Sequence, residues 1–169
     1  MPDALFTETL QVAIVVRDLD VSVRKYADEY GVGPWLIYDF NPNTVQDMIR
    51  DDQPAEYSMR LATTKIGSVQ WELIEPTDDK SIYADFLREH GEGLHHVAMG
   101  VANYDKALAV FRTKGHRIIQ GGTWHGFTYT YLSTQQDLGF IAELFHEPPN
   151  FDLPGPDATY PPQRQDASS

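Results

Sequence analysis

Cysteine is absent from the 169 residues, so disulfides and thiolate metal sites are excluded and any metal must be held by His, Asp, Glu or neutral oxygen donors. The 25 acidic against 13 basic residues give a net charge of −12, which repels phosphate backbones and anionic lipid, so nucleic acid is not an expected partner. A chain of this length buries about 70% of its unfolded surface, and with no leader-like start and no run near the ~20 apolar residues of a membrane span, a cytoplasmic protein is expected.

Leu10 to Val16 reads as a strand rich in β-branched residues, and Asp18 and Asp20 can cap a helix from Val21 to Tyr30 that Gly31 and Gly33 stop. Pro34 to Phe40 reads as a second strand, followed by a turn at Asn41-Pro42-Asn43 and one or two helical turns over Thr44 to Arg50, a long excursion suited to a lid. Glu56 to Thr64 and Ser68 to Ile74 pair as strands around Lys65-Ile66-Gly67, and Pro76 closes a first module over 8–76. A linker, 77–92, holds a helix capped by Asp78 or Asp79 and ending at His90. The second module, 93–147, has a strand at Gly93 to Val101, a helix at Tyr104 to Lys114, and strands at His116 to Gln120, Phe127 to Leu132 and Gly139 to Phe145. The tail, 148–169, carries six of the eleven prolines and no apolar period, which suits an extended or wrapping arm.

The two modules are copies. At an offset of 85 residues Gln11 meets His96, Val12 meets Val97, Ala13 meets Ala98 and Asp20 meets Asp105. The closing strands correspond at an offset of 71, where Glu72-Leu73 meets Glu143-Leu144, and the missing 14 residues fit a longer loop around Asn41 to Tyr57. Each half is then β-α-β-β-β, and the fold class is α+β, two such modules forming a curved sheet.

Strand alternation separates the bulky Leu10, Val12, Ile14 and Val16 from Gln11 and Ala13, and likewise His95, Val97 and Met99 from His96, Ala98 and Gly100. The small face, with one polar residue in each copy, should line a hollow. A pseudo-twofold axis would bring Gln11, Glu72, His96 and Glu143 together there. Two carboxylates in a hollow repel, and a divalent cation held by two acids, an imidazole and an amide oxygen resolves the repulsion. The alternative for each residue alone is plainer: Gln11 and His96 as hydrogen-bonded core residues, the glutamates at exposed strand ends.

These halves, the Gly93-Leu94-His95-His96-Val97-Ala98 segment and the two Glu-Leu strands resemble the vicinal oxygen chelate superfamily, which includes glyoxalase I, methylmalonyl-CoA epimerase, extradiol dioxygenases and antibiotic-resistance proteins. The resemblance covers about residues 8 to 147. It implies a metal site at Gln11, Glu72, His96 and Glu143 holding one divalent ion (zinc, nickel, cobalt, manganese or iron), a small-molecule substrate and a homodimer. It also implies metal-assisted isomerase or lyase chemistry, moving a proton next to a carbonyl, with Glu143 as first choice of base and Glu72 second. The chain departs from the epimerase at Gln11, where that relative carries His, and near Ser58, where its further carboxylate base falls. A single His also departs from the two-His sphere of the dioxygenases.

Around the site, Arg60 is a candidate cation for an anionic substrate group, Trp35 and Tyr38 and the row Phe127, Tyr129 and Tyr131 are candidate aromatic walls, and His125 is a candidate proton shuttle. For Arg60 a surface salt bridge is the plainer alternative, and for the aromatics a place in the core. By alternation His95 should point away from the hollow as a structural residue. The rival functions are a metal-free, resistance-type ligand carrier and a dioxygenase or ring-forming enzyme on the same scaffold.

Overall fold

The computed structural model describes residues 4–162; the first three residues and 163–169, the end of the expected tail, lie outside the described residues. Strands β1 (Glu8–Val15), β2 (Trp35–Phe40), β5 (Met59–Ile66) and β6 (Val69–Pro76) build the first half, with helix α1 (Leu19–Arg24) running into a π-helical turn, Lys25–Glu29, after β1. Between β2 and β5 lie β3 (Gln46–Arg50) and β4 (Gln53–Pro54). Helix α2 (Ile82–His90) leads to the second half: β7 (Gly93–Gly100), α3 (Tyr104–Thr113), β8 (Ile118–Trp124), β9 (Phe127–Leu132), a short α4 (Gln135–Leu138) and β10 (Ile141–His146). A last strand, β11 (Ala158–Tyr160), follows. No helix among the described residues is long and apolar enough to cross a membrane.

One mixed sheet contains all eleven strands in the order β11-β2-β5-β6-β1-β7-β10-β9-β8-β3-β4. Its centre is the duplication. Strands β1 and β7 run antiparallel, and Val12 pairs with Val97, its own repeat equivalent, while Gln11 pairs with Ala98 and Ala13 with His96. A twofold axis therefore passes between Val12 and Val97. The outer neighbours obey it too, because β6 lies parallel to β1 with Glu72 beside Ala13, and β10 lies parallel to β7 with Glu143 beside Ala98.

Side-chain parity sorts the rest. On the helix-covered side of the first half, Leu19 and Val23 of α1 pack with Val16, Trp35, Ile37, Ala62 and Leu73. The second half repeats this arrangement, Ala107 and Phe111 of α3 packing with Ile118, Leu132 and Leu144. The opposite, concave face carries an aromatic cluster from both halves, in which Tyr38 and Phe40 meet Trp124 at ring separations of 5.3 and 4.9 Å. The sheet thus curls until β2 and β8 face one another.

The excursion between β2 and β5 does not form the expected helical turns. Residues Gln46 to Arg50 instead pair as β3 with β8, the outer strand of the second half. The extra residues of the first half therefore tie it to the far end of the sheet. The tail makes a reciprocal tie. It leaves β10, crosses the concave face, and adds β11 to the edge of β2 with Thr159 beside Leu36. Asp157 anchors the crossing, its backbone N–H donating to the Ile37 carbonyl at 2.9 Å and its carboxylate accepting from the Asp39 N–H at 2.8 Å.

Candidate functional site

The concave face encloses a cavity of about 710 Å³. The sheet register sets four polar residues at its floor as two short rows across the central strands, Glu72–Ala13–His96 and Gln11–Ala98–Glu143, each the twofold image of the other, with Gln11, Glu72 and Glu143 lining the cavity and His96 buried behind them. The middle of each row is a fully buried alanine, small enough to let the flanking side chains lean together over it. All four polar residues are less than 9% exposed. Their presence there costs free energy unless each finds a partner.

The partners are one another. The Nε2 of His96 lies 3.2 Å from Glu143 Oε2 and 3.6 Å from Glu72 Oε2, while the neighbouring Gln11 amide favours the ionised form of Glu72. Burial alone would lower the His96 pKa, but the negative charges of Glu143 and Glu72 outweigh it and hold the imidazolium up to about 9. Burial raises the Glu72 pKa, an effect that His96 only partly offsets.

His95 has a role the strand pattern did not show. The β1–β7 pairing steps from Ala13–His96 to Ile14–Leu94, which leaves His95 as the extra residue of a β-bulge. The bulge breaks alternation and buries both neighbouring rings on the cavity side of the linking helix. His95 Nδ1 lies 2.9 Å from His96 Nδ1, and its ring packs edge-on against Phe86 and tilted against Tyr83, both of α2. Burial, then the neighbouring His96, pushes the His95 pKa well below its usual value, so it is neutral. A neutral His95 whose remaining N–H is favoured by the Ile82 backbone leaves Nδ1 as an acceptor. His96 then donates from Nδ1 and directs Nε2 at the two carboxylates.

Of the four buried side-chain polar atoms without a hydrogen-bond partner among the described residues, two are His96 Nε2 and Glu143 Oε2. They approach each other to 3.2 Å without the orientation of a hydrogen bond. Both atoms keep the capacity to ligate, and two carboxylates, an imidazole and an amide oxygen make a donor set that suits a divalent cation. The carboxylates nevertheless close directly on the imidazole, and no group of three or more His, Asp or Glu among the described residues stands ready spaced around an ion. Loading a cation would require the glutamate side chains to draw back.

The remaining sequence candidates divide. Tyr38, Phe127, Tyr129 and Tyr131 line the cavity. Trp35 does not: it is fully buried on the helix side, edge-on to Tyr26 at 5.7 Å, because three residues separate it from Tyr38 and alternation sends the two to opposite faces. Arg60 also lies on the helix side, hydrogen-bonded to Asp20 of α1 at 3.1 Å and 3.5 Å from Glu75, so it is not available to a substrate in the cavity. His125 is exposed in the two-residue β8–β9 turn, where it and Gly126 take φ values of 50° and 86°, as such hairpins require. The sequence reading missed Trp124, which lines the cavity from the last position of β8, and the arm residues Phe151 and Leu153, which cover it.

The fold and duplication match a known group. A sequence model of the Glyoxalase/Bleomycin resistance protein/Dioxygenase superfamily aligns with residues 10–131. The chain belongs to this superfamily. Within it, the methylmalonyl-CoA epimerase of Mycobacterium tuberculosis is similar at 25% identity with a TM-score of 0.64, over 88% of this chain and 93% of that one. A Streptomyces coelicolor methylmalonyl-CoA epimerase variant in complex with 2-nitronate-propionyl-CoA is similar at 25% identity and a TM-score of 0.60, over 88% and 99% of the two chains. A hypothetical protein of Bacillus halodurans shares the fold at 19% identity and a TM-score of 0.66, over 86% and 98%. No curated protein sequence matches the chain.

Proposed function

We propose that this superfamily member is a metal-dependent isomerase or lyase that moves a proton next to a carbonyl of a small organic substrate. The observation that carries the reading is the pair of unpartnered buried atoms, His96 Nε2 and Glu143 Oε2, facing each other beside Glu72 and Gln11. These four residues would hold a divalent cation, and such an ion supplies Lewis acidity toward a carbonyl oxygen, which acidifies the adjacent C–H.

The protein's own groups divide the remaining work. Glu143 Oε2 is a buried carboxylate oxygen without a hydrogen-bond partner among the described residues and the nearer of the two acids to His96 Nε2, so Glu143 is assigned as the base that takes the proton and Glu72 as the second anion. His95 is a positioning residue that fixes the tautomer of His96. The aromatic walls and the arm exclude bulk water and so strengthen every charge interaction inside.

The test has two readings on one preparation. Protein purified without chelator should carry about one equivalent of divalent ion per chain, lost in Glu143→Gln, and should exchange deuterium from solvent into the carbon next to the carbonyl of an accepted substrate. Absence of both bound ion and exchange across a broad carbonyl panel would refute the proposal. The enclosed aromatic cavity also suits a resistance-type carrier, and a metal-free protein that still binds ligand would establish that reading instead.

A further inference from the structure

The charged groups around the cavity and the state of its tyrosines narrow the ligand. Among the described residues four carboxylates line it, Glu8 and Glu147 exposed at the mouth and Glu72 and Glu143 buried inside, against the exposed Lys65 and the buried His96 behind the inner acids. Even with a divalent ion at the inner acids the cavity keeps an excess of negative charge, in a chain already at −12. A phosphate-rich ligand entering here meets repulsion and almost no N–H donor of the kind that recognises phosphate.

The cavity wall is largely aromatic, and its tyrosine hydroxyls bond chiefly one another. Tyr57 and Tyr129 hydroxyls bond each other at 2.8 Å, Tyr57 also donates to the Gly121 carbonyl, and the Tyr83 hydroxyl donates to Tyr131 at 2.7 Å. These side chains therefore offer mainly ring surface, with the Tyr131 hydroxyl, which accepts from Tyr83, left to donate to a ligand. Trp124, which meets Tyr38 edge-on and Phe40 at a tilt, adds an indole to this wall. From the arm, Phe151 closes on Phe127 at 5.4 Å, so a ligand would be held between rings contributed by both halves and by the tail. Flat aromatic ligands gain from offset and edge-on packing in such a place beyond what their buried area gives.

We propose that the cavity takes an uncharged aryl carbonyl compound, its ring against Trp124 and Phe151 and its carbonyl oxygen toward Gln11, Glu72 and Glu143, and that it does not take a coenzyme A thioester. This rests on the proton-transfer reading only for the placing of the carbonyl. It separates the chain from those epimerase relatives whose bound ligand is a coenzyme A derivative.

The test uses the full chain as purified and three probes: 2-acetylnaphthalene, its anionic analogue 6-acetyl-2-naphthoate, and propionyl-CoA. Calorimetric titration should show binding of the neutral ketone, about tenfold or more weaker binding of the carboxylate, and no displacement of the ketone by propionyl-CoA. Trp124→Leu and Phe151→Ala, each checked for native circular dichroism, should weaken ketone binding by about tenfold, whereas Trp35→Phe, on the helix side, should not. Propionyl-CoA displacing the ketone, the anionic analogue binding as tightly as the neutral one, or unchanged affinity in both cavity variants would each overturn the proposal. Failures separate cleanly. A ketone that binds to a metal-free protein, with no deuterium exchange into it or across the carbonyl panel, sinks the proton-transfer reading and leaves the ligand class standing, while exchange into propionyl-CoA but not into the ketone does the reverse.

Discussion

Raising the pH of the metal-free protein should destabilise it, because the acid cluster then loses the proton that compensates it. The folded chain holds the His96 imidazolium to about 9, against an ordinary value of 6.5. A folded-state pKa above the unfolded one means that the native state binds the proton more tightly, so the stabilisation is complete below pH 6.5 and disappears as pH rises through 9. Those 2.5 units amount to about 3 kcal/mol, a large share of the ~5–15 kcal/mol that holds a typical domain. Glu72 acts in the same direction, since burial raises its pKa and its ionisation also favours the unfolded chain.

Urea unfolding in the presence of a chelator, followed by tryptophan fluorescence on either side of that window, measures the change directly. Glu143→Gln provides the control: with the nearest negative charge replaced by an amide, the drop should fall to about half or less. A divalent ion should reverse the trend, because it competes with the same protons and stabilises more as pH rises. Stability that stays level or increases between pH 6.5 and 9 in the metal-free wild type would refute the account of the cluster.

Replacing Arg60 by Ala should lower stability by about 1 kcal/mol, less at high salt, and leave ketone affinity unchanged, since its carboxylate partners lie on the helix side; a shift in affinity measured by calorimetry would contradict its placement. At Gly122 an added Cβ would stand 2.6 Å from the Tyr129 hydroxyl and 2.8 Å from Val45. Gly122→Ala should therefore cost about 1–3 kcal/mol in urea unfolding, and a neutral outcome would count against the tight β8–β9 packing. His95→Leu should weaken zinc binding by about 10- to 100-fold in chelator competition, with His95→Gln, which keeps an acceptor, losing less. Equal affinity in wild type and His95→Leu would leave His95 with packing alone.

The repeat made the centre of the molecule legible. An offset that matches Gln11 with His96 and Ala13 with Ala98 already specifies which residues converge if the copies pair about an axis, and the observed Val12–Val97 pairing realises it. Parity within a strand was legible as well, and it alone separates Trp35 from Tyr38. Which face of β5 turns inward was harder to read, because Met59 and Leu61 on one side and Ala62 on the other are all apolar; α1 decides it, by offering Asp20 to Arg60. Long-range pairing was invisible. Thr44 to Arg50 becomes a strand only because β8 presents a free edge to it, and the proline-rich arm gains β11 only because β2 does the same. The bulge at His95 leaves no mark in the local pattern, since two adjacent histidines read as one inward and one outward residue until the register slips.

A duplicated scaffold delivers two identical carboxylates, and identical groups cannot serve as both fixed ligand and mobile base. The difference arises at the other pair of equivalent positions. On the first strand of one half stands Gln11, a neutral amide that favours the ionised form of Glu72; on the first strand of the other stands His96, whose ring is turned by His95 and approached by both acids. Because the two rows are interleaved across the axis, Gln11 occupies the row of Glu143 yet acts on the charge of Glu72, and His96 occupies the row of Glu72 yet lies nearer to Glu143. Each half thus modifies chiefly its own carboxylate. One acid has an amide neighbour and the other an imidazole, an asymmetry that neither half would possess if it were paired with an exact copy of itself.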